Sequence, residues 1–246
     1  MTDPASLLLA AGMLVGALLY SSVGHAGASA YIALMALAGM APEEMRPTAL
    51  VLNILVASFA SARYLRAGQF RWRTLWPFLA GAVPLAFIGG GISLPGHLYK
   101  PLVGLVLWAS AARLLWPKPL ASPGQIHNPA VLPGMACGAG IGLLAGLTGT
   151  GGGIFLSPLL LFARWSDARR ASGIAIVFIL ANSLAGLAGN YASLGALPAA
   201  LPLYAAAVLT GALIGTRIGI RVAPAVLLRL LALVLLIAGA KLLNLW

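Results

Sequence analysis

Long apolar runs separated by short polar intervals follow one another along the chain. The apolar segments are 5–41, 45–62, 74–93, 99–116, 131–163, 171–190, 197–220 and 222–244. A helix needs about 20 largely apolar residues to cross the hydrocarbon core of a bilayer. The pattern therefore predicts an all-α polytopic membrane protein with the lipid bilayer as its surroundings.

Two of these segments, 5–41 and 131–163, are too long for a single span. Each contains a cluster of small residues near its middle, SSVGHAGAS at 21–29 and TGTGGG at 148–153. Glycine is unfavourable inside a helix, so we expect the helix to break at each cluster. Each long segment then forms a glycine-tipped helical hairpin, either re-entrant or fully crossing, that returns to its starting side.

The segments form two sets of four, which indicates an internal duplication. The proline-rich stretch RLLWPKPLASPGQIHN lies between them, so we assign a first repeat 1–116, a linker 117–130 and a second repeat 131–246. The sequence RPTALVLNILVASFASA, which begins at Arg46, matches RASGIAIVFILANSLAG, which begins at Arg170, in the order of its polar positions. Each repeat is predicted to hold one hairpin and three further transmembrane helices.

The number and position of charged residues agree with a membrane protein and indicate its orientation in the bilayer. Only 8% of residues are charged, the mean hydropathy is +1.00 and the net charge is +11, whereas about a quarter of a soluble domain is charged. The basic residues lie in short loops, where they act as topology signals, so we expect no nucleic-acid partner.

Equivalent loops of the two repeats differ in charge. The loop 63–73 carries four arginines and its counterpart 190–196 carries none, whereas 164–170 is basic and 42–46 holds two glutamates. Because basic loops stay inside, equivalent loops lie on opposite sides of the membrane. The repeats are therefore predicted to be inverted, as in secondary transporters, with both termini outside.

The helix breaks are the candidate binding site. A helix that restarts at membrane depth presents its first N–H groups, and consecutive glycine amides form a nest for an anion. We expect the two tips to meet near mid-membrane around a small anion with several acceptor oxygens. The alternative is close helix packing, which we favour for isolated glycines such as Gly81 and Gly211. The candidate residues at the breaks are Gly24, His25, Gly27, Ser29, Thr148, Gly149, Thr150, Gly151, Gly152 and Gly153.

Three polar side chains inside the apolar segments have two interpretations each. His25 is a candidate to bind the anion or carry a coupling proton, or it is a neutral histidine that satisfies local carbonyls. Asn53 and Asn182 either reach the anion or bridge helices. Arg46 and Arg170, at segment edges, are explained most simply by topology and snorkelling, and an anion-attracting vestibule is the alternative.

The acidic residues exclude several functions. Asp3, Glu43, Glu44 and Asp167 all lie at termini or in loops, so a carboxylate proton relay through the core is excluded. We find no carboxylate pair, no metal-spaced His/Cys cluster and no nucleophile elbow. We therefore predict no catalytic residue, no metal and no cofactor.

The second repeat carries a resemblance to a known family. The stretches are GLLAGLTGTGGGIFLSPLLL at 142–161, RRASGIAIVFILANSLAG at 169–186 and GALIGTRIGIRVAPAVLLRLLALVLLIAGAKLL at 211–243. They resemble the TauE/SafE family, the sulfite-exporter or toluenesulfonate-uptake-permease group. In the first repeat, VGHAGAS at 23–29 stands where that family usually has a second glycine-rich cluster.

The resemblance implies a secondary transporter of the bacterial inner membrane for sulfur-containing anions such as sulfite or organosulfonates. Alternating access around the two tips is the expected mechanism. A passive anion channel built on the same residues is the nearest alternative. An intramembrane enzyme and a membrane subunit that only binds partners are the others.

Overall fold

The computed structural model describes residues 3–22, 24–115, 126–218 and 225–245, with the side chains of 168, 218, 225–228 and 230 outside that description. Most of the predicted linker 117–130 lies outside the described residues. All the regular structure described is helical: α1 (Pro4–Ser22), α2 (Ala28–Leu37), α3 (Pro42–Arg66), α4 (Trp72–Gly91), α5 (Gly96–Leu115), α6 (Val131–Thr148), α7 (Gly153–Phe162), α8 (Ala168–Gly189), a 3-10 helix (Tyr191–Ala196), α9 (Leu201–Ile218) and α10 (Ala225–Leu242).

The predicted breaks in the two long apolar segments are present. In the first segment a 19-residue helix precedes a 10-residue helix, and in the second an 18-residue helix precedes another of 10 residues. A 10-residue helix rises about 15 Å, half the thickness of the hydrocarbon core. Neither α2 nor α7 can therefore cross the core alone, whereas the direction of each predicted hairpin stays a prediction.

Six helices among the described residues are long and apolar enough to span a membrane, which confirms a polytopic helical protein. These helices are α1, α3, α4, α5, α6 and residues 169–189 of α8. By the same measure of length and composition, residues 201–217 of α9 and 231–242 of α10 are shorter apolar helices.

Helices of the first half of the chain pack against helices of the second half in equivalent pairs. Helix α4 packs along α6, and α9 packs along α1; α3 packs on α8, and α5 on α10. If α1–α5 correspond in order to α6–α10, the α4–α6 pair corresponds to the α9–α1 pair. The α3–α8 and α5–α10 pairs each join a helix to its own counterpart in the other half. This is the arrangement expected of a duplicated unit, while the inversion of one copy stays a prediction.

Glycines bring the paired helices unusually close. A Cβ on Gly142 of α6 would lie 2.3 Å from the carbonyl oxygen of Ala82 on α4, and one on Gly81 would lie 2.0 Å from that of Met135. On Gly211 of α9, a Cβ would lie 2.2 Å from a carbonyl oxygen of α1. Gly81 and Gly211 are packing residues, as predicted, because small residues let membrane helices approach closely.

We predict that Gly142→Ala destabilises the protein by about 1–3 kcal/mol, because the added methyl group overlaps the α4 backbone. Gly140→Ala is the matched control on the same helix, since its Cβ would meet nothing within 4 Å. Alanine there should leave stability unchanged or raise it by up to about 1 kcal/mol. Thermal unfolding in detergent measures both variants, and equal midpoints would contradict the close α4–α6 contact.

Candidate functional site

The second break is built from backbone conformations that favour glycine. Gly149, Gly151 and Gly152 have φ angles of 83°, 74° and 77°. An L-residue with a Cβ loses about 1–2 kcal/mol in this left-handed region. Gly152 is the N-cap of α7, which begins at Gly153, so the glycine cluster both ends one helix and starts the next.

Backbone hydrogen bonds leave the middle of the second break open. The amide of Gly149 donates to the Ala145 carbonyl at 2.8 Å, and α7 resumes with the amide of Phe155 bonded to the Gly152 carbonyl. Among the backbone bonds of the described residues outside the helices, the amides of 150–152 are not donors. Three successive N–H groups in a buried segment are therefore available to an acceptor.

The two threonines of this break use their hydroxyl protons internally. Thr148 Oγ1 donates to the Leu144 carbonyl at 2.6 Å and lies 2.9 Å from Thr150 Oγ1. Because the Thr148 proton is committed to Leu144, Thr150 is the donor of the second bond. The donors left free in this state are backbone amides, and a role of the two threonines in binding stays a prediction.

The first break is held by tyrosines. Gly24 and Gly27 have φ angles of 79° and 104°. The Tyr31 hydroxyl donates to the carbonyl of Ala26 at 2.5 Å, and Ser29 Oγ lies 2.5 Å from the Tyr20 hydroxyl. Ser29 thus has a protein partner, while the backbone amides at 26–28 donate to no backbone carbonyl in the bonds described outside the helices.

Gly24 and Gly149, which belong to the two breaks, contact opposite ends of α3. A Cβ on Gly24 would lie 2.9 Å from the Tyr64 hydroxyl, near the end of α3, whereas one on Gly149 would lie 3.1 Å from the Arg46 carbonyl oxygen, near its start. On α8 the breaks lie closer together, because a Cβ on Gly24 would adjoin Ser172 and one on Gly153 would lie 3.4 Å from the Ala175 carbonyl oxygen. The meeting of the two tips near mid-membrane stays a prediction.

His25 links the two breaks through α7. Its Nε2 lies 3.1 Å from Ser157 Oγ, one turn after α7 begins. The sequence analysis did not select Ser157, although it is the one hydroxyl in the α7 sequence GIFLSPLLLF. His25 therefore contacts the helix that follows the second break.

Asn53 lies at the second break. Its Nδ2 donates to Ser183 Oγ of α8 at 3.3 Å, and a Cβ on Gly151 would lie 2.6 Å from the same nitrogen. The Asn53 side-chain oxygen is buried and has no hydrogen-bond partner among the described residues. Asn53 therefore combines both interpretations from the sequence, since it bridges helices and also adjoins the glycine cluster.

Asn182 is fully buried on α8, and neither polar atom of its amide has a hydrogen-bond partner among the described residues. It lies one helical turn before Gly186, where an added Cβ would be 3.5 Å from the Cα of Gly146 on α6. Residues four apart share a helix face, so Asn182 belongs to the side of α8 that faces α6. A buried polar group without a hydrogen-bond partner lowers stability by about 1–3 kcal/mol, and the Asn182 amide contains more than one such group.

Arg46 does not snorkel into water. It is 6% exposed, and its guanidinium donates to the carbonyls of Ile92 and Gly89, both at 2.8 Å, and to that of Gly90. These carbonyls belong to the last turn of α4 and to its C-cap Ile92, where a positive charge is favourable. Arg170, its counterpart in the second repeat, instead pairs with Asp167 at 3.5 Å on the surface.

Tyr99 adds a further contact at the second break that the sequence analysis missed. Its hydroxyl donates to the carbonyl of Thr148, the last residue of α6, at 3.2 Å. Burial of Tyr99 near the start of α5 depends on the packing of α5 against the rest of the bundle, which no local pattern reveals. The described residues contain no group of three or more His, Cys, Asp or Glu side chains placed to hold a metal.

These features define a multi-pass helical membrane protein with a broken helix at its centre, and comparison with known proteins gives its family. The chain belongs to the Sulfite exporter TauE/SafE family, whose model matches residues 8–242. It is also 41% identical over 245 residues to the "Probable membrane transporter protein y4hK" of Sinorhizobium fredii (strain NBRC 101917 / NGR234), over 98% of this chain and 99% of that protein. No solved structure matches. The family and the relative support a membrane transporter of the TauE/SafE type.

We predict that Gly151→Ala lowers stability by more than Gly39→Ala. Both glycines have positive φ angles, 74° and 78°, so both variants incur the same backbone strain of about 1–2 kcal/mol. A Cβ on Gly39 would meet nothing within 4 Å, whereas one on Gly151 would crowd the Asn53 amide at 2.6 Å. The crowding should cost about 1–3 kcal/mol more. Equal losses in chemical or thermal unfolding would show that Gly151 is needed for its conformation alone.

Proposed function

We propose that this protein is a secondary transporter that moves a small sulfur-containing anion, such as sulfite or an organosulfonate, across the bacterial inner membrane. The anion binds at the second break. The observation that carries this proposal is the run of three buried backbone N–H groups at 150–152 that bond to no described acceptor.

The donors at this break suit an anion. Successive amides beside a helix N-terminus provide partial positive charge without a formal cation, which is how nests and helix starts hold oxyanions. The amide nitrogen of Asn53 adds a neutral donor beside Gly151, and that of Asn182 is a buried donor without a described partner on the adjoining helix α8. A hard cation would instead need a set of oxygen ligands. The balance of groups therefore favours an oxyanion as the substrate.

The side chains packed around the glycines of the second break also favour a small ligand. A Cβ on Gly152 would lie 2.7 Å from Ile141 Cγ2, and one on Gly153 would lie 2.3 Å from the Ile179 side chain. Apolar side chains therefore pack closely around these glycines, which favours a small ligand. Sulfite or the sulfonate end of an organosulfonate fits this requirement, and the family name independently points to sulfite.

Contacts at opposite ends of α3 support alternating access. Gly24 of the first break lies near Tyr64 at the end of α3, and Gly149 of the second break lies near Arg46 at its start. Rocking of one repeat against the other would then loosen one break while the other stays closed. The contact between His25 and Ser157 joins the two breaks. We assign His25 the role of carrying a coupling proton, since histidine is the side chain type whose ordinary chemistry allows it to gain and lose a proton near neutral pH.

The distribution of charge supports the proposed orientation. Arg63, near the end of α3, donates to Thr216 near the end of α9, and a Cβ on Gly173, near the start of α8, would touch the Gln69 carbonyl. The basic loops thus gather at one end of the bundle, which we assign to the cytoplasm. Glu43 lies at the opposite end, on the outer side, where we also put both termini.

We predict that Asn182→Leu abolishes transport, with a loss of at least about tenfold, while the folded protein is as stable as before or more stable. Leucine keeps the branching of asparagine and removes two buried unpaired polar atoms, which relieves their cost. The measurement is substrate-evoked current on a solid-supported membrane, with sulfite, sulfate, thiosulfate, sulfoacetate and taurine, with and without a pH gradient. Uptake of labelled anion covers electroneutral exchange.

Ser110→Ala is the matched control for this variant. Ser110 is also fully buried in a membrane helix, but its hydroxyl bonds to the Val106 carbonyl of its own helix, so transport should persist. Undiminished flux in folded Asn182→Leu would remove Asn182 from the binding site. Flux that neither saturates nor runs uphill would replace the transporter with a passive anion channel.

A further inference from the structure

A small cavity lies beside the second break, at the end of the bundle where α3 begins. Its volume is about 100 Å³, and it is lined by Pro42, Glu43, Arg46, Ser93, Leu94, Tyr99, Asn190 and Ser193. Two of these residues touch the break directly. The Tyr99 hydroxyl bonds to the Thr148 carbonyl, and the backbone of Arg46 adjoins Gly149.

The charge of Arg46 is not neutralised by the groups that hold it. Its three described partners are backbone carbonyls, which are neutral, and its Nε is buried without a hydrogen-bond partner. The one ion pair among the described residues joins Arg170 to Asp167. A buried cation without a counter-ion is costly, so an anion in the cavity would be stabilised there.

Asn190 supplies a second unused donor on the same cavity. It is 8% exposed, its Oδ1 accepts a hydrogen bond from Ser193 at 2.8 Å, and its Nδ2 has no partner among the described residues. The acceptor of this amide is thus occupied and its donor is not. The lining therefore combines an arginine, an amide nitrogen and the Ser93 hydroxyl, which together match the oxygens of an oxyanion.

We propose that this cavity is a second anion site, in which a small oxyanion bridges the Arg46 guanidinium and the Asn190 amide. The volume suits an ion of a few heavy atoms, since a cavity of about 150 Å³ holds a benzene molecule. Glu43, which is exposed, is the acidic residue of the lining and opposes binding. The cavity would serve as the entrance to the second break. That role rests on the proposed transport function, whereas the binding of an anion at the cavity is independent of it.

Equilibrium binding of labelled sulfate and labelled sulfite to the purified full chain in nanodiscs tests this site. Asn190→Asp keeps the acceptor for Ser193 and turns the free donor into a negative charge, so affinity at the cavity should fall about tenfold or more. Glu43→Gln removes the opposing carboxylate and should raise affinity. Arg170→Gln, at the equivalent position of the second repeat, removes one positive charge from the surface and should change affinity less than about twofold.

The same binding measured in an Asn182→Leu background separates the two sites. Binding that persists there and disappears when Asn190→Asp is added supports the cavity, whether or not the second break binds the substrate. Binding that disappears with Asn182→Leu alone, or that Asn190→Asp and Glu43→Gln both leave unchanged in protein with the parental unfolding midpoint, overturns the proposal. Loss of flux in Asn182→Leu with cavity binding intact would confirm both sites as distinct.

Discussion

Every backbone N–H and C=O group inside an apolar environment needs a partner, and the two helix breaks are where this chain must meet that requirement without a helix. Carbonyls at both breaks are satisfied by tyrosine. Tyr31 donates to the Ala26 carbonyl at the first break, and Tyr99 donates to the Thr148 carbonyl at the second. The backbone amides at 26–28 and at 150–152 donate to no backbone carbonyl in the bonds described outside the helices. At the second break, these free donors are what supports the proposed anion site.

The packing of the two halves fixes the position of that break. Helix α6 ends at Thr148, and its glycines press its backbone against α4. A side chain at Gly142 would overlap the Ala82 carbonyl, so the last turns of α6 are held close to their neighbour. The equivalent contact in the other half lies between α9 and α1. The glycines of the helices thus build a rigid frame, whereas those of the break shape the backbone within it.

The sequence predicted the class of fold and the location of the breaks well, because both depend on local properties. Hydrophobic length determines membrane helices, and consecutive glycines destabilise a helix wherever they occur. The packing roles of Gly81 and Gly211 followed from the same reasoning and were confirmed. The ligand roles of the glycines, His25 and the asparagines stay predictions.

The features that were missed depend on contacts between distant parts of the chain. Arg46 and Arg170 begin matching sequence stretches, yet one is buried against the end of α4 and the other pairs with Asp167 on the surface. Ser157 and Tyr99 gain their roles only because α7 meets His25 and α5 meets the end of α6. The contacts of Gly24 and Gly149 with opposite ends of α3 likewise depend on packing that spacing along the sequence does not define.

The most direct test of an anion at the second break is anomalous diffraction from crystals of the protein soaked in selenite, a heavier analogue of sulfite. The account predicts a selenium peak within hydrogen-bond distance of the backbone amides at 150–152, next to the Asn53 side chain. That peak should disappear in Asn182→Leu crystals. Selenium bound only at other positions, with the amides at 150–152 bonded to protein groups, would contradict the assignment.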